Sequence, residues 1–208
     1  MPHADSIDKI VTVYLAGVCK NPFRYKNREY HPKPLIVSPL IFRGFSCPAN
    51  CGGCCPRFSL DYLPDEEKPY PLQARQVEVN DHTFSVMSDV QRDHRDHFCR
   101  NLDKATGRCM IHGKHPFSCD FELIRFIRYE ERVIQTQKLF NRGWAMLRVD
   151  GGRGARCEML PATPETIAEV VRKLGRLKEW ADFFGIDTHL PAIIDWARRG
   201  PHVDALRL

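Results

Sequence analysis

Cys47-Pro48-Ala49-Asn50-Cys51-Gly52-Gly53-Cys54-Cys55-Pro56 puts four cysteines within nine residues, with two glycines between the second and third. A packed core has no use for that pattern. A metal does, because thiolates are soft ligands and a glycine-rich turn lets two of them converge on one ion. Working outward, Cys99, Cys109, Cys119 and Cys157 follow, so eight cysteines lie between residues 47 and 157. Only Cys19 stands apart, and it reads as a small buried hydrophobe.

Nine cysteines fit either a secreted disulfide framework or an intracellular metal site, and the compartment decides. Asp5 and Asp8 precede the apolar run of residues 10–18, where a secretion signal carries positive charge. Leu15-Ala16-Gly17-Val18-Cys19 has one residue too many for a lipoprotein cleavage box. A cytoplasmic location is therefore expected, where reducing conditions favour metal over disulfide. No apolar run is long enough to span a membrane.

The formal charge of +5 suggests nucleic acid at first sight. Eight thiolates and two divalent zinc ions, or two doubly charged iron–sulfur cores, lower the total to about +1. The lysines and arginines are scattered rather than gathered into a stripe, so nucleic acid is not the expected partner.

The 208 residues suffice for a hydrophobic core. β-Branched Ile7, Ile10, Val11 and Val13 give residues 7–18 the look of a strand, and residues 20–34, with Pro22, Pro32 and Pro34, that of a loop. Residues 35–45 form a short apolar segment broken by Pro39, and residues 57–63 suit a strand. Residues 64–71 read as an acidic surface loop. Residues 77–86 alternate around Asn80-Asp81, which predicts a tight hairpin. Residues 103–108 form a second turn, Cys109-Met110-Ile111 is strand-like, and His115-Pro116-Phe117-Ser118-Cys119 is a turn. Strands are favoured over residues 121–139 and again over 144–149.

Beyond residue 160 the chain changes character. Thr163-Pro164-Glu165 opens a helix that runs to about Phe184, through Ile167, Val170, Val171, Leu174, Leu177 and Trp180, and Gly185 stops it. A second helix covers about residues 190–199 and ends at Gly200-Pro201. The expected fold is α+β: a cysteine-rich, metal-centred β and loop core over residues 1–160, with a helical extension over 161–208 packed on it. The helices hold no cysteine, so they cover the metal-binding part or meet a partner protein.

Cys51-Gly52-Gly53-Cys54 forms a knuckle that can grip one metal, and Cys47 can reach the same centre. Cys55 is harder to place there, because side chains of adjacent residues diverge. Cys99, Cys109, Cys119 and Cys157 make a second set, although the division need not follow chain order. Zinc and a [4Fe–4S] cluster both accept four cysteines. Proline after a ligand, in Cys47-Pro48 and Cys55-Pro56, leans towards iron, as in ferredoxin motifs.

These residues resemble the CxxCxxCC, or YkgJ-type, cysteine-cluster family, described as a zinc- or iron-chelating domain. Phe45-Ser46-Cys47 through Cys51-Gly52-Gly53-Cys54-Cys55 carry the resemblance, with Cys99, Gly107-Arg108-Cys109, Ile111-His112, His115-Pro116 and Cys119-Asp120-Phe121 downstream. Cys157 matches a late family cysteine. The chain departs from the family at His112, His115 and Asp120. The resemblance implies metal ligation by the eight cysteines and leaves the metal and the activity open. The cysteine motif is also distantly similar to that of a flagellin lysine-methylating enzyme, a resemblance that leans towards an iron–sulfur cluster.

His94-Arg95-Asp96-His97 reads as a solvated polar segment, and His112 and His115 as groups near the ligands. Asp150-Gly151-Gly152-Arg153-Gly154 is a tight turn rather than a cofactor loop. No Ser-His-Asp arrangement, phosphate-binding P-loop or carboxylate pair is recognisable, so no catalytic residue is assigned. Three functions remain: an iron–sulfur protein with a redox or protein-modifying role, a zinc-stabilised interaction module, and metal storage or delivery.

Overall fold

The computed structural model of the chain describes residues 6–46, 60–68, 70–89, 100–103, 105–106, 108–111, 114, 116–120, 127–128, 158–199 and 204–208. Its α+β architecture joins antiparallel strands to a C-terminal helical pair.

Residues 6–18 form one helix, α1, rather than the expected strand. It combines an α-helical turn, Ser6–Lys9, a π-helical stretch, Ile10–Leu15, and a closing turn, Ala16–Val18. The wider winding shows where the Ala16 N–H reaches the Val11 carbonyl five residues back. Burial explains the outcome. Ile7, Ile10, Val11, Tyr14, Leu15 and Val18 are buried at spacings of three and four, while Val13 is 46% exposed. The helical period outweighs the strand propensity of the β-branched side chains, which is a weak bias.

The strands that follow are short. They are β1 (Phe23–Tyr25), β2 (Arg28–Tyr30), β3 (Leu35–Val37), β4 (Arg43–Ser46) and β5 (Asp61–Tyr62), with one 3₁₀ turn, Pro39–Phe42. The longest pair, β6 (Gln73–Val79) and β7 (His82–Ser88), is followed by β8 (Leu102–Asp103) and β9 (Arg108–Cys109). Next come a four-residue helix, α2 (Phe117–Asp120), then β10 (Ile127–Arg128) and β11 (Glu158–Ala162). The helical pair is α3 (Pro164–Phe183) and α4 (Leu190–Arg198), and β12 (Leu206–Arg207) closes the chain.

The main sheet has the order β2-β1-β6-β7-β5. Its expected hairpin forms: β6 and β7 pair from Gln73↔Ser88 to Val79↔His82, around Asn80 and Asp81 at φ of 50° and 64°. Two left-handed residues in sequence are the twisted turn that a two-residue hairpin needs. Residues 20–34, expected as a loop, contain a second hairpin of the same kind. Lys26 and Asn27 stand at φ of 48° and 58° between Tyr25 and its register partner Arg28. The expected turn at 103–108 links β8 to β9, with Asp103 opposite Arg108. Residues 117–120 coil into α2 where a turn was expected, and of Cys109-Met110-Ile111 only Cys109 lies in a strand. Ile127 and Arg128 pair with Ile36 and Leu35 in β3. The rest of the 121–139 stretch, apart from these two residues, and all of 144–149 lie outside the described residues.

The helix start reads as expected. The Thr163 hydroxyl accepts the Thr166 N–H at 3.3 Å, and the Thr166 hydroxyl accepts the Thr163 N–H at 2.8 Å. Leu174, Leu177 and Trp180 of α3 and Leu190, Ile193 and Ala197 of α4 are buried, so both apolar faces turn into the chain's own core. There Phe84 of β7 meets the Phe184 ring edge-on at 5.2 Å, and Phe184 stacks on Trp180 at 5.6 Å. The α3–α4 connection is tied to the end of α1, with the Lys20 N–H on the Asp187 carbonyl at 2.9 Å and the His189 N–H on the Val18 carbonyl at 2.8 Å. No helix among the described residues is long and apolar enough to cross a membrane.

Candidate metal centre

Six of the eight candidate ligands, Cys47, Cys51, Cys54, Cys55, Cys99 and Cys157, lie outside the described residues, as do His94, His97, His112 and His115. Cys109 sits half-buried in β9, and the backbone of Cys119 belongs to α2. Cys19 is buried at the end of α1, where its thiol donates to the Ala16 carbonyl at 3.6 Å. Among the described residues no group of three His, Cys, Asp or Glu side chains is placed to hold a metal ion.

The described residues that border the cysteines are themselves fixed. In β4–β11, Ser46 is the register partner of Glu158. These two residues directly precede Cys47 and directly follow Cys157. The Arg43 Nε donates to the Leu160 carbonyl at 3.2 Å in the same strand pair. In β8–β9, Cys109 is the partner of Leu102, and the Met110 N–H donates to the Asn101 carbonyl at 2.7 Å. That contact draws the residue after Cys109 to the second residue after Cys99. At the other edge of the main sheet, the Asp61 N–H donates to the Ser118 hydroxyl at 3.2 Å, next to Cys119. The long helix α3 packs against both β4 and α2.

A buried polar network supports these anchors. Asp61 is fully buried. Its carboxylate accepts the Ile7 N–H at 2.7 Å and the Ser88 hydroxyl, and the Arg75 guanidinium lies at 3.3 Å. Beside it, Asp89 accepts the Tyr70 hydroxyl at 2.8 Å and an Arg100 Nη1–H at 3.5 Å. The Asn101 amide donates to the Tyr70 oxygen at 3.1 Å, and the Arg100 guanidinium lies 3.9 Å from the Tyr70 ring centroid. Burial pushes the Tyr70 hydroxyl above its usual pKa, which keeps it a donor to Asp89. Burial also raises the Tyr62 hydroxyl, with Tyr70 and the carboxylates of Asp89 and Glu66 adding to the effect.

The acidic loop of residues 64–71 also does more than face solvent. The Glu66 carboxylate accepts the Leu63 N–H and the Phe117 N–H, each at 2.8 Å. Phe117 opens α2, so Glu66 satisfies an N–H that the short helix cannot satisfy itself. Arg176 of α3 lies 3.5 Å from Glu66 and donates to Asp65 at 3.0 Å. Burial opposes the Arg176 charge, but Asp65 and the neighbouring carboxylates outweigh it and raise its pKa.

Sequence reasoning missed Asp61, Glu66, Tyr70, Asp89 and Arg100. One signal was present: Asp61 interrupts the apolar run Leu60-Asp61-Tyr62-Leu63, and a carboxylate in such a run must find donors. The donor set itself fits a thiophilic metal, because eight thiols suit zinc or iron–sulfur coordination. No family model, no curated protein and no solved structure matches the chain.

Proposed function

We propose that this chain is a metal-binding cysteine-cluster protein that holds one or two iron–sulfur clusters through thiolates drawn from Cys47, Cys51, Cys54, Cys55, Cys99, Cys109, Cys119 and Cys157, with a redox or protein-modifying role. The observation that carries the reading is the register pairing of Ser46 with Glu158. Partners in an antiparallel pair are about 5 Å apart. The pairing joins the residue that precedes Cys47 to the residue that follows Cys157, although those two cysteines are 110 residues apart in sequence. Disulfide pairing is disfavoured in the reducing compartment expected for this chain, and a metal gives thiols a partner there.

Iron is preferred to zinc on the two ligand–proline pairs, Cys47-Pro48 and Cys55-Pro56. The cluster would supply electron transfer or Lewis acidity, and the cysteines would hold it and set its exposure to water. Purification without oxygen, followed by the visible spectrum and iron, zinc and sulfide counts, tests the reading. Brown protein absorbing near 400 nm, with about four irons per cluster, supports it. Colourless protein with about two tightly held zinc ions replaces it with a zinc-stabilised interaction module. Metal that exchanges freely points to storage or delivery, and a metal-free, stably folded protein overturns metal binding altogether.

A further inference from the structure

On the main sheet, a cleft of about 580 Å³ opens between α1 and the β1–β2 hairpin. Asp8, Thr12 and Ala16 form its helical wall, and Lys26, Arg28, Glu29 and Lys33 contribute to the other. The volume falls in the range of small-ligand sites. The strand register explains its chemistry. Phe23 pairs with Tyr30 and Tyr25 with Arg28, so side-chain alternation sets Arg28 and Tyr30 on the face of the buried Phe23 and Tyr25. Arg24 and Glu29 pair on the opposite face.

One of the two carboxylates that line the cleft, Asp8, is already engaged. The Asp8 carboxylate meets the Lys26 ammonium at 2.6 Å and the Tyr25 hydroxyl. Burial raises its pKa, but those two contacts outweigh burial and hold the carboxyl below its usual range. Glu29 faces Arg24 across the strand pair and lies 3.8 Å from the His31 Nε2. Arg28 differs. Its guanidinium rests over the Tyr30 ring at 5.4 Å, and Tyr30 is stacked on Phe23 at 5.2 Å. Among the described residues no carboxylate lies within ion-pair distance of it. Arg28 is thus a cation held in place by an aromatic stack, with its hydrogen-bonding fork unmatched by an acid.

We propose that this cleft binds a small phosphate-bearing anion, with Arg28 as the bidentate contact. The planar guanidinium fork can donate to two oxygens of a tetrahedral phosphate at once, and an aromatic support reduces the entropy lost on binding. The proposal does not depend on the metal reading, because neither α1 nor the β1–β2 hairpin contains a candidate ligand.

Calorimetric titration of the full chain at low salt, with pyrophosphate and inorganic phosphate as probes, tests it. Saturable binding of pyrophosphate, weakened about tenfold or more in Arg28→Gln, is expected from loss of one charge-assisted pair. Arg24→Gln is the control, since that side chain lies on the other face with Asp81, and it should bind as the parent does. Near-ultraviolet circular dichroism confirms that each variant is folded. Absence of saturable heat with both probes overturns the proposal. So does equal weakening in Arg24→Gln, or citrate binding as tightly as pyrophosphate.

Discussion

The Asp61 carboxylate accepts the Ile7 backbone N–H at 2.7 Å, joining residues 54 positions apart. Ile7 lies in the first turn of α1, where N–H groups have no partner within the helix. Asp61 therefore caps α1 from another part of the chain, and its negative charge suits the positive end of a helix. The same carboxylate takes the Ser88 hydroxyl and faces Arg75, so one buried group joins α1, β5, β6 and β7. Asp61→Ala should destabilise the protein by about 3–5 kcal/mol, because it leaves the Arg75 charge without its buried partner. Asp61→Asn, which keeps an acceptor oxygen for Ile7, should lose distinctly less. Urea unfolding reads both, and a change in Asp61→Ala below about 1 kcal/mol would remove the capping role.

Asp89 links the end of β7 to the residues that follow Cys99. It receives Tyr70 and Arg100, and Asn101 reaches it through Tyr70. Asp89→Ala strands the Tyr70 hydroxyl and should cost about 1–3 kcal/mol. Arg100 adjoins Cys99, so on the proposed metal-binding reading metal per chain should fall in the same variant. Asp89→Asn keeps an acceptor for Tyr70 and should hold more metal than Asp89→Ala. Equal and full metal content in both variants would show that the network is structural only.

The fold was legible wherever one local signal acted alone. Thr163-Pro164 gave the start of α3, Gly185 its end and Asn80-Asp81 the β6–β7 turn, because each of these residue types has a specific backbone use. Residues 7–18 carried two signals in conflict. The β-branched content indicated strand, while the spacing of Ile7, Ile10, Val11, Tyr14, Leu15 and Val18 was helical, and burial followed the spacing. The β1–β2 hairpin went unread because Lys26-Asn27 lacks the glycine that usually marks such a turn. The helix-capping roles of Asp61 and Glu66 could not be read, since the N–H groups of Ile7 and Phe117 lie 54 and 51 residues away. The cysteine pattern is a local signal in the sequence, and six of its eight cysteines lie outside the described residues.

His189 makes stability depend on pH near neutrality. It begins α4, where its carbonyl accepts the Ile193 N–H at 3.1 Å. Burial, aided by the Lys20 charge, holds its pKa below the usual 6.5, and Asp187 opposes this only in part. The unfolded chain then binds the proton more readily than the folded one, so stability rises with pH through this window and is lost as pH falls below about 6.5. Between about pH 7 and pH 5, His189→Gln should lose less unfolding free energy than the parent. Equal slopes in the two proteins would exclude His189 as the source.

Gly185 ends α3 in the left-handed region at φ 64°. The Ile186 N–H donates to the Ala181 carbonyl at 2.9 Å and the Gly185 N–H to the Asp182 carbonyl at 3.1 Å, the double closure of a Schellman motif. A Cβ added at this glycine would meet nothing within 4 Å. Sterics outside the residue therefore contribute nothing to the cost of Gly185→Ala, which reduces to the left-handed penalty of about 1–2 kcal/mol. Gly185→Asn, whose side chain tolerates that region better, should lose about half as much. The test is specific because the connection after Gly185 also holds α1, through Asp187 and His189. If the strain instead shifts the connection, hydrogen exchange at Lys20 and His189 will quicken in Gly185→Ala before global unfolding does. Unchanged exchange at both amides, together with the expected loss of stability, would localise the cost to the turn itself.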